Sequence, residues 1–132
     1  MKMDNEHWVP LSHQALALLR EIRTITSDSP LIFPSSLSAR RPLSKGTLLN
    51  ALKRIGYRGR QTAHGFRATF QTCCKEQRIA LDVFDLEAIE IQLAHKRPND
   101  SLGYDRAKLL DERRALMQRW ADYLDALRSS SS

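Results

Sequence analysis

Thr62-Ala-His64-Gly-Phe-Arg67-Ala-Thr-Phe70 is the stretch from which the fold of the chain is best read. Thr62 is a good N-cap, because its hydroxyl oxygen can accept one of the N–H groups that a first helical turn leaves without a partner. His64 and Arg67 are three residues apart, so on a helix they share a face. A helix start carries partial positive charge, and an arginine adds a planar fork that can grip two oxygens of one anion. The stretch therefore predicts a helix whose opening turns suit a phosphate. Gly65 costs such a helix roughly 1 kcal/mol against alanine. Its presence points to a close approach of the backbone, either to a phosphate or to a packed neighbour. Phe66 and Phe70, four apart, are expected in the core.

A lone His-x-x-Arg pair is most often a solvated helix face, so the rest of the chain decides its meaning. Further along come Ile91-Gln-Leu-Ala-His95, then Gly103-Tyr104-Asp-Arg-Ala107, and finally Glu112-Arg-Arg-Ala-Leu-Met-Gln-Arg-Trp-Ala-Asp-Tyr-Leu-Asp125. A phosphoryl group in transfer spreads negative charge over its non-bridging oxygens, so catalysis consists mostly of positioning and of donors aimed at that charge. Arg67, His64 and His95 are such donors. A C-terminal place on a helix would favour a protonated His95 ring. Tyr104 is the candidate nucleophile, since a tyrosine oxygen can attack phosphorus and hold it covalently.

In order and in combination these motifs resemble the C-terminal catalytic domain of tyrosine recombinases, in particular the phage and genomic-island integrases of bacteria, from Met1 to about Leu127. The resemblance implies a mainly α fold, a helical bundle with a small N-terminal β-hairpin. It also implies that His64 and Arg67 are the His-x-x-Arg pair, His95 the second histidine and Tyr104 the nucleophile. Lys2 matches the lysine that the family carries on its hairpin, and residues 1–11 read as the end of one strand, a polar turn and a second strand. The family's first arginine has no counterpart, because it would precede Met1. The expectation is a partial catalytic domain over residues 1–128, poor at cleavage alone, followed by a disordered tail at 129–132. The resemblance further implies double-stranded attachment sites and other integrase protomers, four on two DNA sites, as partners, and leaves room for accessory DNA-bending proteins. No cofactor is implied: rejoining conserves the bond energy, so neither ATP nor a metal is called for. Two other readings use the same residues, a type IB topoisomerase-like strand cleavage and a non-catalytic DNA-binding or regulatory remnant.

Composition agrees with a DNA-directed role without requiring it. The 132 residues carry 21 Lys and Arg against 15 Asp and Glu, a formal charge of +6. That excess favours polyanions. Arg40, Arg41, Lys45 and Arg60 stand ahead of the His64 helix and are the candidate phosphate contacts. Length and a 42% hydrophobic content fit one globular domain. Adjacent Cys73 and Cys74 offer neither a disulfide framework nor metal spacing, and at helical spacing they read as small buried residues of a reducing cytosol. Met1-Lys-Met-Asp4 is no signal peptide, and no apolar run is long enough for a bilayer. The expected place is the bacterial cytoplasm, on the nucleoid.

Apolar periodicity predicts further helices. One follows Ser12 as cap, over 13 to about 24. Another follows Ser44, with Leu48, Leu49, Leu52 and Ile55 on one side, and ends at Gly56 and Gly59. A third covers 82–95 with Val83, Leu86, Ile89 and Leu93 inward. The last runs over 109–127 with many i, i+4 charge pairs. Residues 31–33 read as an edge strand or extended connector, and 35–42 as a polar loop that could approach DNA.

Overall fold

Recurrent Leu, Ile and Ala at three- and four-residue intervals after Ser12 produce the first helix, α1 (His13–Ile25). The structure, a computed structural model, describes residues 7–76, 86–94 and 109–131. It is mainly α with one small antiparallel sheet, and it divides into two compact units, Gln14–Phe70 and Met1–His13 with Gln71–Ser132.

In the first unit the half-buried face of α1 includes Ala15, Leu16, Leu19 and Ile22, whereas Leu18 and Ile25 are exposed. Side-chain hydrogen bonds shape the end of the helix. Thr26 donates its hydroxyl to the Ile22 carbonyl at 3.2 Å, and Arg23 Nη1 donates to the Ser29 carbonyl at 2.5 Å. Ser29 is buried, and its hydroxyl both donates to the Ala39 carbonyl at 2.5 Å and accepts from the Leu31 N–H at 2.9 Å. A buried hydroxyl needs such partners to offset its lost hydration.

Residues 35–42, expected as a loop, form most of a hairpin. Strands β1 (Pro34–Ser35) and β2 (Ser38–Pro42) pair antiparallel, with Pro34 opposite Pro42 and Ser35 opposite Ser38. Proline cannot donate to a ladder, so the sheet stays short; the Leu43 N–H extends it by one bond to the Phe33 carbonyl at 3.2 Å. Serine hydroxyls shape the turn, Ser35 accepting from the Leu37 N–H and Ser38 from the Arg40 N–H. The expected N-terminal strand is corrected. Trp8 to Leu11 carry no strand, because Pro10 has no N–H to give and the Trp8 carbonyl is taken by an arginine side chain. Met1 to Glu6, the other arm of that expected hairpin, lie outside the described residues.

Helix α2 (Thr47–Leu52) starts later than expected, capped by Gly46 rather than Ser44, whose hydroxyl instead meets that of Thr47 at 2.8 Å. It widens into a π-turn over Lys53–Tyr57 and stops as Gly56 takes φ 93°. Only glycine adopts such an angle without strain. Leu48, Leu49 and Ile55 are exposed, so the expected apolar side of this helix is not covered within the described residues.

In the second unit the later part of α3 (Ala63–Glu76) carries Cys74, which is fully buried. Burial, with Cys73 beside it, pushes the Cys74 thiol up to about 12, so it is a neutral filler rather than a nucleophile. Lys75 and Gln71 of α3 both donate to Glu90 Oε1, at 2.7 and 3.2 Å, on α4 (Leu86–Gln92). Ala88, Ile89 and Leu93 are buried while Leu86 faces out; Val83, paired with it in the expected stripe, lies outside the described residues. Ile89, with no exposed surface, is the best-buried aliphatic side chain here. Ile89→Ala is expected to cost about 2–5 kcal/mol of stability, measured by urea unfolding of the 132-residue chain.

Helix α5 (Leu110–Ser130), on which Leu116 is buried, packs on α4 and supplies Gln118, whose side-chain oxygen accepts the first N–H of α1, from His13, at 2.9 Å. The helix continues through Ser129 and Ser130, residues expected in a disordered tail. Their hydroxyls donate back to the carbonyls of Asp125 and Leu127 at 3.0 and 2.9 Å, which lets serine extend a helix it usually weakens. Trp120 and Tyr123 stack with ring centroids 5.9 Å apart.

Candidate active site and DNA interface

The helix start predicted at Thr62 has the geometry its residues require. Thr62 Oγ1 accepts the Gly65 N–H at 3.0 Å, and α3 begins at Ala63. This cap takes one of the N–H groups that the turn would otherwise offer to an anion. A Cβ at Gly65 would come within 2.4 Å of Gln61 Oε1, the far end of a flexible side chain that can swing aside. His64 lies exposed and Arg67 half-buried on the same short stretch of helix, one turn apart and on one face. Phe70 is buried as expected, but Phe66 is 55% exposed and so is not core. It stands between His64 and Arg67 in sequence, and on a helix it points away from the face those two share.

The candidate phosphate contacts occur in the same unit. Arg40 and Arg41 are exposed on β2, Lys45 is exposed just before α2, and Arg60 is exposed just before α3. Leu37 at the hairpin turn is 93% exposed. The charge is sharply divided between the units. Gln14–Phe70 holds ten Lys and Arg against two Asp and Glu, while the rest of the chain holds eleven against thirteen. No carboxylate side chain occurs between Asp28 and Glu76. A stretch of 47 residues with cations and no side-chain anions generates a positive field that neighbouring acids do not cancel.

Lys2, His95 and Tyr104 lie outside the described residues. The chain leading to His95 is described as far as Ala94. Helix α4 closes with the Ala94 N–H on the Ile91 carbonyl at 2.9 Å and Ala94 at φ 52°, so the expected continuous helix from 82 to 95 ends before its histidine. A left-handed residue at that place is a common helix stop. Among the described residues no group of His, Cys, Asp and Glu could hold a metal ion, and no helix is long and apolar enough to cross a membrane.

Sequence reasoning missed Arg113. It stands among the many charges of the last helix, and it has no exposed surface. Arg114 and Arg128 form surface pairs at i, i+3 spacing rather than the expected i, i+4, with Asp111 at 2.7 Å and Asp125 at 3.5 Å. A signal was present: Leu109, Arg113, Leu116 and Trp120 follow one another at helical spacing, which places the arginine in an apolar stripe.

The phage integrase family profile matches residues 1–108. The chain is 41% identical over 133 residues to the integrase of Enterobacteria phage P4, covering 98% of this chain and 29% of that protein. It is 39% identical over 127 residues to the integrase of Shigella phage Sf6, covering 95% and 32%, and 38% identical over 132 residues to the prophage integrase IntA of Escherichia coli strain K12, covering 99% and 31%. It thus spans about three tenths of the length of these relatives. No solved structure matches it.

Proposed function

Since the chain belongs to the phage integrase family, we propose that it supplies the catalytic residues of a site-specific recombinase that cuts and rejoins DNA through a 3′-phosphotyrosyl intermediate. The observation that carries the reading is the capped start of α3, with His64 and Arg67 on one face, in a unit with ten cationic and two anionic side chains. Arg67 grips the non-bridging oxygens of the scissile phosphate, and His95 donates to them. Tyr104 attacks phosphorus. Its proton passes to His64, the oxygen–phosphorus bond to the tyrosine forms, and the bond from phosphorus to the 5′-oxygen breaks. Lys2 protonates the departing 5′-oxygen. The 5′-hydroxyl of another strand then reverses the step, so bond energy is kept and no nucleotide is consumed. Protomers acting together on paired attachment sites complete the exchange.

The test is covalent capture. This chain is grafted in place of the segment it matches in the phage P4 integrase and incubated with a pool of nicked suicide duplexes, which lose the 5′-hydroxyl strand and trap the intermediate. A protein–DNA adduct that survives denaturation and maps to Tyr104 is the expected result. An adduct at another residue, or none, sinks the assignment. The 132-residue chain alone is expected to give little adduct.

The same protein tests the interface. If Arg40 and Arg41 each neutralise a phosphate, replacing both with alanine weakens duplex binding for all sequences alike and lowers the slope of log K against log salt by about 2. Fluorescence anisotropy across a salt series measures it. A slope unchanged by the double substitution would leave the β-hairpin outside the interface.

A further inference from the structure

Strand β2 buries neither of its faces: Ala39, Arg40, Arg41 and Pro42 are all exposed. The two-residue turn before it, Ser36–Leu37, ends in Leu37, at 93% the most exposed large hydrophobic side chain among the described residues. A two-stranded ribbon standing alone is marginal in water, yet this one is tied down at its root. The buried Ser29 hydroxyl donates to the Ala39 carbonyl of β2 at 2.5 Å. Arg23 Nη1, on α1, donates in turn to the carbonyls of Ser29 at 2.5 Å and Thr26 at 3.3 Å. Successive residues of a strand point to opposite faces, so Arg40 and Arg41 put one cation on each side of the ribbon. A ribbon that packs on a core has one apolar face, whereas a ribbon lying between two walls of phosphate is served by cations on both. The hairpin falls wholly within the stretch that lacks carboxylate side chains.

The major groove of B-form DNA, about 12 Å wide, admits a two-stranded ribbon; the minor groove, about 6 Å wide, takes one only where the duplex is opened or bent. Phosphates of both strands wall the major groove, and the apolar group its floor presents is the C5-methyl of thymine. We propose that the β1–β2 hairpin enters the major groove, with Arg40 and Arg41 toward its opposite walls and Leu37 against a thymine methyl, so that Leu37 is a specificity-determining residue. The arginines hold the ribbon in register and carry no sequence information, because every base step has the same phosphates. Leu37 has no hydrogen bond to offer and selects by apolar contact alone. The inference rests on the proposed function for duplex DNA as the partner, and it needs no role for any reacting group.

Uracil substitution tests it, since uracil is thymine without the methyl. The grafted integrase selects duplexes from a randomised pool, each thymine of the enriched duplex is replaced in turn by uracil, and anisotropy titrations compare the parent with Leu37→Ala. The position is exposed, so the variant is expected to fold as the parent does. At one thymine or more, uracil is expected to weaken the parent about fourfold, the factor for losing one buried methyl group, and to leave Leu37→Ala unaffected. The salt dependence of the two proteins is expected to be the same, because no phosphate contact is removed. A uracil profile identical in parent and variant overturns the proposal, as does a parent indifferent to uracil at every position. If Leu37→Ala keeps the profile but loses joint binding of protomers to the duplex, the tip packs on a second copy of the chain and the proposal falls. A bend of the duplex that depends on Leu37, without any uracil effect, would place the tip in the minor groove and overturn it equally. Adduct formation is scored on nicked forms of the same duplexes. A uracil effect that depends on Leu37, with no adduct, sinks the proposed function and leaves the base contact standing; an adduct with an unaltered profile does the reverse.

Discussion

Tyr104→Phe is expected to bind duplex DNA as the parent integrase does and to form no covalent adduct. The substitution removes one oxygen and leaves the aromatic body, so the packing and charge that govern DNA affinity are untouched. The chemistry is lost entirely, because the oxygen is the atom that joins phosphorus. Tyrosine has an ordinary pKa near 10, so only about one molecule in a thousand is ionised at neutral pH without help. The proposed scheme gives that help through His64. No other side chain is assigned as nucleophile, and water in its place would yield a cut strand with no stored bond for religation. The readout is a denaturing gel of suicide-substrate reactions beside an anisotropy titration. Persistence of the adduct in the variant would mean that another residue attacks.

Arg67→Ala is expected to lower the rate of adduct formation by roughly 10²–10³, the scale on which a single donor aimed at a developing oxyanion acts. The preceding helix turn makes a further, sharper expectation available. Arg67 is half-buried on a helix whose start is closed by the Thr62 cap, which fixes the backbone from which its side chain departs. Arg67→Lys keeps the charge but presents a single ammonium where two parallel donors are needed. It should therefore recover only a small part of the loss, while DNA affinity changes much less than the rate. Single-turnover rates at saturating protein separate the two effects. A lysine variant as fast as the parent would show that charge alone suffices there and that the fork is not used.

How much was legible beforehand can be seen residue by residue. Thr62 announced its helix because capping is local: the acceptor and the N–H it serves are three residues apart. The stop at Gly56 was legible for the same reason, since a left-handed angle is a property of one residue. Phe66 and Leu86 were misjudged because periodicity tells which residues share a face but not which face is covered. The hairpin at Pro34 to Pro42 was misread as a loop, its prolines and serines being ordinary loop residues; pairing between strands supplies what their propensities do not. Ser29 sits in an ordinary polar stretch, yet it is the buried hydroxyl that joins the end of α1 to the hairpin.

The amino-acid sequence by itself determined the chemistry on offer. The order of His64, Arg67, His95 and Tyr104, the cap at Thr62 and the acid-free stretch from Ser29 to Lys75 are all written in residue identity and spacing. Only the tertiary structure decided that Arg113 is interior. That depends on Trp8 and Gln92, which lie 105 and 21 residues away along the chain and meet the guanidinium only in the folded state. Whether a charge is solvated or enclosed is a property of what surrounds it, and for Arg113 what surrounds it comes from distant parts of the chain.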